Sequence, residues 1–247
     1  MLLTRREFLG FAPLWAANSH LLGFTDGIRY GLTTSRIPAR RLPDINEAPY
    51  ATFPQGALLR LDIAENGFAQ IVRDSWVRFP KWLLAFGNSF VPLVRLKLLE
   101  DYEVTPIHPD VAPDQKRIQI SLANQEISAL ENQRLIYKTK VSTGLVYPTP
   151  VGEYSIYSKW WSRQMQGFNP NGSTWDLPAV PFVMYFDAKG DAIHGTYWHH
   201  NFGHPMSHGC VNLKTEDALW FYRWTTPNNQ DFDTQTQWDK GTRVVIH

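Results

Sequence analysis

Hydrophobic and polar residues alternate through much of the second half of the chain, and this period of two is typical of β-strands. Residues 117–122 alternate without interruption, and residues 126–130 and 135–141 continue the pattern after a short turn. We expect these segments to open a β-rich domain as a hairpin. Further on, residues 181–186 form an apolar run of strand length, and residues 243–246 predict a last strand.

The periodicity becomes helical in residues 215–224, where an apolar face forms. Thr215 is the predicted N-cap, and Glu216 and Asp217 favour the first turn because their charge complements the helix dipole. Residues 116–247 are therefore predicted to be mainly β with a short helix near their end.

The first half of the chain predicts a smaller β-rich module over residues 51–105. Residues 57–63 alternate, Asn66-Gly67 is a tight-turn pair, and residues 68–72 return as the second strand of a hairpin. Short strands separated by turn residues indicate a small barrel. The module resembles bacterial SH3-like domains.

Two segments flank this module. Residues 18–50 are rich in turn formers and arginine, and we expect them to be extended or loop-like. Residues 106–115 carry three prolines, which remove backbone donors and restrict φ, and they predict a linker between the module and the second domain.

The N-terminus predicts export. Arg5-Arg6 is followed by Phe8-Leu9 and by a short apolar run over residues 10–17. This arrangement resembles a twin-arginine (Tat) export signal over residues 1–17, and the apolar run is too short to span a membrane. The alternative is an amphipathic helix with two exposed arginines. The signal implies a periplasmic or cell-wall location, with an undefined cleavage site.

Composition excludes several function classes. The chain has 247 residues, 43% of them hydrophobic, and a formal charge of +1. A packed core is expected, whereas neither a nucleic-acid partner nor a transmembrane segment is predicted. A single cysteine rules out an intrachain disulfide and marks a reactive thiol or a buried inert one. The oligomeric state stays open.

Candidate chemistry concentrates in residues 193–213, which contain that cysteine, Cys210, and five of the eight histidines. A thiol nucleophile needs a base, an orienter for the base, and donors for a developing oxyanion. Two histidines compete as the base. His208 is two residues from Cys210 and would share a strand face with it, whereas His194 must be brought to the sulfur by the fold.

Three motifs in this order resemble the L,D-transpeptidase catalytic-domain (YkuD-like) family over about residues 116–247. They are His194-Gly195 followed by the segment Ser207–Asn212, the V-S-T-G segment 141–144 followed by T-P-V-G-E-Y-S-I at 149–156, and the apolar helix after the cysteine. Several motifs together are far more specific than one alone.

The resemblance implies a mainly β catalytic domain that is sandwich- or barrel-like, and it implies a role for each site residue. Cys210 would be the nucleophile and His194 the general base, held through its other nitrogen by the carbonyl of Gly195. His208 and Gly209 would shape the site, and backbone N–H groups of residues 208–210 would form the oxyanion hole. Substrate-binding positions are assigned to four residues: Ser207, Asn212, Tyr197 and Trp198.

The same resemblance implies a two-step acyl transfer on peptidoglycan stem peptides, through a thioester, without metal or cofactor. We expect the histidine to lower the pKa of the thiol, so that thiolate is the main form. Thioester chemistry also implies sensitivity to carbapenem-type β-lactams. Residues 167–173, flanked by Trp160, Trp161 and Trp175, predict either a flexible lid or a loop with core aromatics.

Three alternatives stay open from sequence. The histidines and Cys210 offer ligands to zinc, and His200 and His204 have helical spacing, although Gly203 and Pro205 argue against a helix there. A cysteine hydrolase such as a carboxypeptidase or endopeptidase would use water as the acceptor. A non-catalytic wall-binding protein would use the N-terminal module as its binding site.

Overall fold

The structure, a computed structural model, describes residues 29–72, 89–227 and 241–247. The export segment predicted for residues 1–17 lies outside the described residues. The named strands are β1 (Arg29–Thr33), β2 (Ile37–Ala39), β3 (Ala51–Phe53), β4 (Leu58–Glu65), β5 (Phe68–Ile71), β6 (Phe90–Pro92), β7 (Leu96–Leu98), β8 (Lys116–Ser121), β9 (Glu126–Glu131), β10 (Arg134–Lys140), β11 (Gly152–Ser155), β12 (Ser158–Phe168), β13 (Thr174–Tyr185), β14 (Ala192–Gly195), β15 (Val211–Leu213) and β16 (Arg243–Ile246). The α-helices are α1 (Asp101–Val104) and α2 (Thr215–Trp224).

The N-terminal module is an antiparallel sheet with the strand order β6-β5-β4-β1-β7. The predicted hairpin of β4 and β5 is confirmed, and both Asn66 and Gly67 have positive φ, as a tight hairpin turn requires. Buried apolar residues from this sheet and from the small β2–β3 pair form a core of their own, which includes Phe53, Leu59 and Ile71.

The loop-like character predicted for residues 18–50 is wrong where β1 and β2 form. β1 lies inside the sheet, between β4 and β7, so the module starts at or before Arg29 rather than at residue 51. The sequence did not predict β1 because this strand has only five residues, too few to show a clear alternation, and is flanked by turn formers.

The second domain consists of two sheets that enclose one core with α2. One sheet has the order β10-β9-β8-β16-β11, and the other has the order β12-β13-β14-β15. Ile118 and Val244 from the first sheet, Phe182 and Ile193 from the second, and Phe221 from α2 are all fully buried in one cluster. The predicted mainly β architecture with a short helix after the cysteine is confirmed.

Helix α2 has the predicted bounds, but its N-cap is Lys214 rather than Thr215, and no side chain caps it. Its C-terminal end is held instead by two buried lysines. Lys116 Nζ donates to the carbonyl of Trp224 over 2.9 Å, and Lys159 Nζ donates to the carbonyl of Thr225 over 2.8 Å. Ammonium groups at this end complement the helix dipole and satisfy its orphan carbonyls.

The segment predicted as a linker, residues 106–115, is bound to the second domain. The N–H of Ile107 donates to the carbonyl of Arg223, and Lys116 Nζ donates to the carbonyl of His108. The imidazole of His108 also lies 2.7 Å from a carboxylate oxygen of Glu131. The prolines therefore shape an ordered connection that ends beside the C-terminus of α2.

The predicted lid loop is the turn of a long hairpin. β12 and β13 pair along most of their length, and only residues 169–173 lie between them. The hairpin also packs against the N-terminal module. Tyr30 stacks on Trp161 with ring centroids 5.0 Å apart, and Ser162 Oγ donates to the carbonyl of Leu58 over 2.6 Å. Neither helix is long and apolar enough to cross a membrane, a finding that covers the described residues only.

Candidate active site

Strand pairing brings His194 and Cys210 together. β14 and β15 are parallel, with Ile193 opposite Val211 and His194 opposite Asn212. Extending this register by one residue places Cys210 opposite Ala192, on the face that also carries His194. With strands about 4.8 Å apart and about 6.6 Å between alternate residues, the two Cα atoms are diagonal neighbours at about 8 Å. A cysteine and a histidine side chain can meet across that gap.

His194 is 2% exposed and is held in one tautomer. Its Nδ1 lies 3.0 Å from the carbonyl oxygen of Gly195. Because a carbonyl only accepts, Nδ1 carries the hydrogen, and the lone pair of Nε2 is free to take a proton. Burial lowers the pKa of His194 to about 4, so the imidazole is neutral at pH 7. The role predicted for Gly195, to orient His194, depends on this hydrogen bond.

Cys210 lies at the edge of an apolar cluster that includes Ala192 and Trp198. Cys210 as a whole residue is partly exposed. Burial nevertheless raises its pKa to about 12, while a hydrogen bond with the backbone of Ala192 lowers it and the charge of Asp191 raises it further. The expectation that thiolate is the main form is therefore wrong for the free protein, because an apolar surround opposes the charge. The resting pair is thiol and neutral imidazole.

The loop before Cys210 is locked by short-range hydrogen bonds. Ser207 Oγ donates to the carbonyl of Cys210 and accepts the N–H of Gly209 over 3.2 Å. Thr149 Oγ1 donates to the carbonyl of Gly209 over 2.7 Å and accepts the N–H of Gly144 over 2.8 Å. Both upstream sequence elements therefore contact the loop directly, and Ser207 acts here as a loop anchor.

Gly209 allows a conformation that a side chain would prevent. Its φ is +122°, and a Cβ at this position would lie 2.3 Å from Oδ1 of Asp191. The loop thus approaches Asp191 more closely than any other residue would permit. This close approach also explains why the Asp191 charge acts on the neighbouring thiol.

The three backbone N–H groups predicted to form an oxyanion hole differ in their hydrogen bonding. The N–H of Gly209 is committed to Ser207 Oγ. Among the described residues, the backbone N–H groups of His208 and Cys210 have no assigned acceptor. Two of the three N–H groups thus have the unpaired donors that the predicted oxyanion hole needs.

His208 joins the catalytic loop to the tip of the β12–β13 hairpin. Its Nε2 lies 2.7 Å from Oδ1 of Asn169. Its ring centroid is 5.3 Å from that of Trp175 and 6.3 Å from that of Tyr147. The imidazole is therefore part of an aromatic wall, as the predicted site-shaping role requires.

Asn212 is 1% exposed and pairs with His199, which the sequence offered only as a zinc ligand. Its Nδ2 lies 2.9 Å from Nε2 of His199, and its Oδ1 has no partner among the described residues. His199 and His208 are thus bound to separate amides. No group of three or more His, Cys, Asp or Glu residues in the described ranges is arranged to hold a metal ion.

The two aromatic residues predicted to bind substrate have different surroundings. The ring of Trp198 lies 5.6 Å from that of His194, which places it beside the base. Tyr197 donates its hydroxyl to the carbonyl of Pro178 over 2.7 Å. A Cβ on Gly56 would lie 2.6 Å from the Cβ of Tyr197, so this tyrosine packs tightly against the N-terminal module.

Sequence reasoning missed Asp191, Asn169 and His199 as members of the site. Asp191 belongs to a segment of turn formers, and Asn169 lies in residues 167–173, which were predicted to be a lid or a loop with core aromatics. His199 was one of several histidines, and only the fold distinguishes them. Thr149 belonged to a motif that had been identified, but its contact with Gly209 spans 60 residues and has no local signal.

Comparison with known proteins identifies the family. Residues 115–246, more than half of the chain, match the family model for YkuD, the L,D-transpeptidase catalytic domain. A curated relative, the Probable L,D-transpeptidase 3 of Mycobacterium tuberculosis, is 33% identical over 87 residues. That match covers 31% of this chain and 30% of the relative, so it spans less than a third of the relative's length.

Solved structures of the same family are similar at low identity. The catalytic domain of the E. faecium L,D-transpeptidase has a TM-score of 0.43 and 22% identity, and the match covers 53% of this chain and 96% of that one. L,D-transpeptidase 3 from Mycobacterium tuberculosis, with a faropenem-derived adduct, has a TM-score of 0.43 and 17% identity, with 73% and 91% covered. On the strength of the family match over residues 115–246, the chain belongs to the YkuD family of L,D-transpeptidase catalytic domains.

Proposed function

We propose that this protein is an exported L,D-transpeptidase that uses Cys210 to transfer an acyl group between peptidoglycan stem peptides. The observation that carries the proposal is the coincidence of two facts. The family match spans both Cys210 and His194, and strand register makes these two residues diagonal neighbours. The predicted export signal in residues 1–17 is consistent with a substrate outside the cytoplasm.

In the first half-reaction, the sulfur of Cys210 attacks the carbonyl carbon between the L-centre of the third stem residue and the terminal D-residue. His194 Nε2 takes the thiol proton as the S–C bond forms, because both groups start neutral. The free N–H groups of His208 and Cys210 stabilise the oxyanion. His194 then returns the proton to the leaving amine, the D-amino acid departs, and a thioester is left on Cys210.

In the second half-reaction, an amine of another stem attacks the thioester carbonyl. His194 takes a proton from this amine and returns it to the sulfur as the S–C bond breaks. The product is a new amide that links two stems, and the thiol is regenerated. The apolar surround of Cys210 limits the approach of water, which favours the amine over hydrolysis.

The test is incubation with a synthetic tetrapeptide stem, followed by mass spectrometry of both protein and peptides. We expect an acyl adduct on Cys210, release of the terminal D-amino acid and a cross-linked dimer. Cys210→Ala should abolish all three, whereas Lys189→Ala, an exposed change, should abolish none. Trimmed peptide without dimer would replace the transferase by a hydrolase. Intact peptide with a folded wild-type protein would contradict both.

A further inference from the structure

Arg163 on β12 is a cation whose partners are aromatic rings. Its guanidinium carbon lies 4.5 Å from the ring centroid of Trp160 and 5.4 Å from that of Tyr185. Within the described part of the chain, no hydrogen bond or ion pair joins it to another group. Stacking fixes the plane of a guanidinium but leaves its N–H donors in that plane without acceptors.

The same Tyr185 places this cation beside the nucleophile. Tyr185 pairs with Ala192 in the strand register, and the backbone of Ala192 in turn hydrogen-bonds to the thiol of Cys210. Arg163 and Cys210 both affect the pKa of the Tyr185 phenol: the charge of Arg163 lowers it, and the charge of an ionised Cys210 raises it. Arg163 and Cys210 therefore lie on the same face of the sheet, on either side of Tyr185.

Two hydrogen-bond donors with no acceptor thus lie next to each other on the catalytic face. The Tyr185 hydroxyl has no hydrogen-bond partner among the described residues, and its pKa is raised to about 12 by burial, so it keeps its proton. A planar guanidinium beside a phenol donor suits a carboxylate, which accepts from both. The carboxylate of Asp191, whose charge also acts on the thiol, lies against Gly209 on the catalytic loop, where a Cβ would be 2.3 Å from its Oδ1.

We propose that Arg163 and the Tyr185 hydroxyl form a carboxylate-binding subsite beside Cys210, which takes a free carboxylate of the peptide substrate. Which molecule carries that carboxylate rests on the proposed function, but the subsite itself does not. The pair selects anionic over neutral reactants at the sulfur. Arg163 would then be a specificity-determining residue, because the aromatic rings hold its guanidinium in place before the substrate arrives.

The subsite can be tested with two reagents of nearly equal size, iodoacetate and iodoacetamide, which both alkylate Cys210 and differ in charge. The measured quantity is the ratio of their second-order rate constants. In Arg163→Gln we expect this ratio to fall about fivefold relative to wild type, as removal of a nearby cation should produce. Arg163→Lys should restore most of the ratio, and 0.5 M salt should shrink the wild-type effect.

Arg134→Gln, an exposed arginine on β10, is the matched control and should leave the ratio unchanged. The iodoacetamide rate depends on the reactivity of the thiol and not on the charge of the reagent. A variant that only perturbs the site therefore changes both rates and leaves their ratio unchanged. An equal ratio in wild type and Arg163→Gln, with an unaltered iodoacetamide rate, overturns the proposal.

A second experiment uses stem tetrapeptides whose carboxylates are amidated one at a time. Amidation of one position should lower kcat/KM of the wild type about tenfold and leave that of Arg163→Gln unchanged. With the unmodified stem, Arg163→Gln should differ from wild type more by a rise in KM than by a fall in kcat. Equal losses in both proteins would overturn the assignment of the carboxylate. If the reagent ratio responds to Arg163 but no stem is used, the subsite stands and the proposed function fails.

Discussion

Oδ1 of Asn169, at the tip of the β12–β13 hairpin, lies 2.7 Å from Nε2 of His208, two residues before the nucleophile. This contact joins the hairpin to the catalytic loop across 39 residues of sequence. The hairpin tip is otherwise held by its own turn, in which Asn171 Oδ1 accepts from the N–H and Oγ of Ser173. The contact between His208 and Asn169 therefore holds the hairpin tip against the catalytic loop.

Asn169→Ala should loosen the hairpin tip without altering the nucleophile. The variant loses two side-chain hydrogen bonds, from Asn169 Oδ1 to His208 and from Asn169 Nδ2 to Ser173 Oγ. Loss of the His208 bond, at about 1 kcal/mol, should raise KM for a stem peptide about fivefold and leave the iodoacetamide rate at Cys210 unchanged. Hydrogen exchange should become faster in residues 166–176. Asn171→Ala is the control: it disturbs the turn but keeps the His208 contact, so a similar rise in KM there would show that turn geometry matters rather than the contact.

The resting thiol and imidazole predict a specific pH profile. Because burial raises the pKa of Cys210 to about 12, alkylation by iodoacetamide should keep accelerating from pH 7 to 10 without a plateau. Ultraviolet absorbance at 240 nm should show no thiolate at pH 7. A plateau below pH 8 would indicate a preformed thiolate–imidazolium pair and would contradict the neutral resting state.

His194 should also make stability depend on pH. Its folded pKa of about 4 lies below the ordinary value of 6.5, so the unfolded chain binds the extra proton first. Its contribution is present above pH 6.5 and is lost as pH falls towards 4, with a magnitude on the order of 3 kcal/mol. The free energy of unfolding, measured by chemical denaturation, should change with pH more steeply in wild type than in His194→Gln over this window. Parallel curves would mean that the imidazole is not buried in its neutral form.

Asp191→Asn should make Cys210 more acidic. The Asp191 carboxylate disfavours the thiolate, so neutralising it should speed alkylation by iodoacetamide at pH 8 about threefold. Asp110→Asn, in the segment before β8, is a carboxylate remote in sequence from the site and should have no effect. A slower reaction in Asp191→Asn would show that Asp191 holds the loop through its contact with Gly209 rather than acting through its charge.

Lys159→Met should destabilise the second domain. Lys159 is 3% exposed, burial lowers its pKa to about 7, and its Nζ donates to the carbonyls of Tyr222 and Thr225 at the end of α2. Removing it takes this donor from the Thr225 carbonyl and leaves the Tyr222 carbonyl with the longer bond from Thr225 Oγ1, at a cost of about 3 kcal/mol in the free energy of unfolding. Lys189→Met, an exposed lysine, should change this free energy by less than about 0.5 kcal/mol. Equal midpoints of denaturation for the two variants would contradict this role of Lys159.

Local sequence patterns predicted much of this fold. The alternation in β8 and β9, the Asn66-Gly67 turn and the bounds of α2 depend on neighbours within a few residues, and all three are confirmed. The sequence also pointed to Cys210 and His194 through motifs. What failed were features set by the folded environment: the pKa of the thiol, the commitment of the Gly209 N–H to Ser207, and the N-cap of α2.

Long-range geometry explains the remaining misses. The β12–β13 hairpin carries a register shift after Arg163, and Ala179 and Phe182 adopt positive φ, a conformation that their residue types do not signal. The sequence therefore did not predict a long hairpin, and the segment around its turn was interpreted as a lid or loop. Asn169 and Arg163 gain significance only when the hairpin brings them to the catalytic face.

The central claim is that Cys210, served by His194, forms a covalent acyl-enzyme. The most direct measurement is intact-protein and peptide mass spectrometry after incubation with a carbapenem. We predict one adduct per chain, mapped to the peptide that contains Cys210, formed much more slowly in His194→Gln and not at all in Cys210→Ala. A folded wild-type protein whose Cys210 stays unmodified, while stem tetrapeptides also remain intact, would contradict the account.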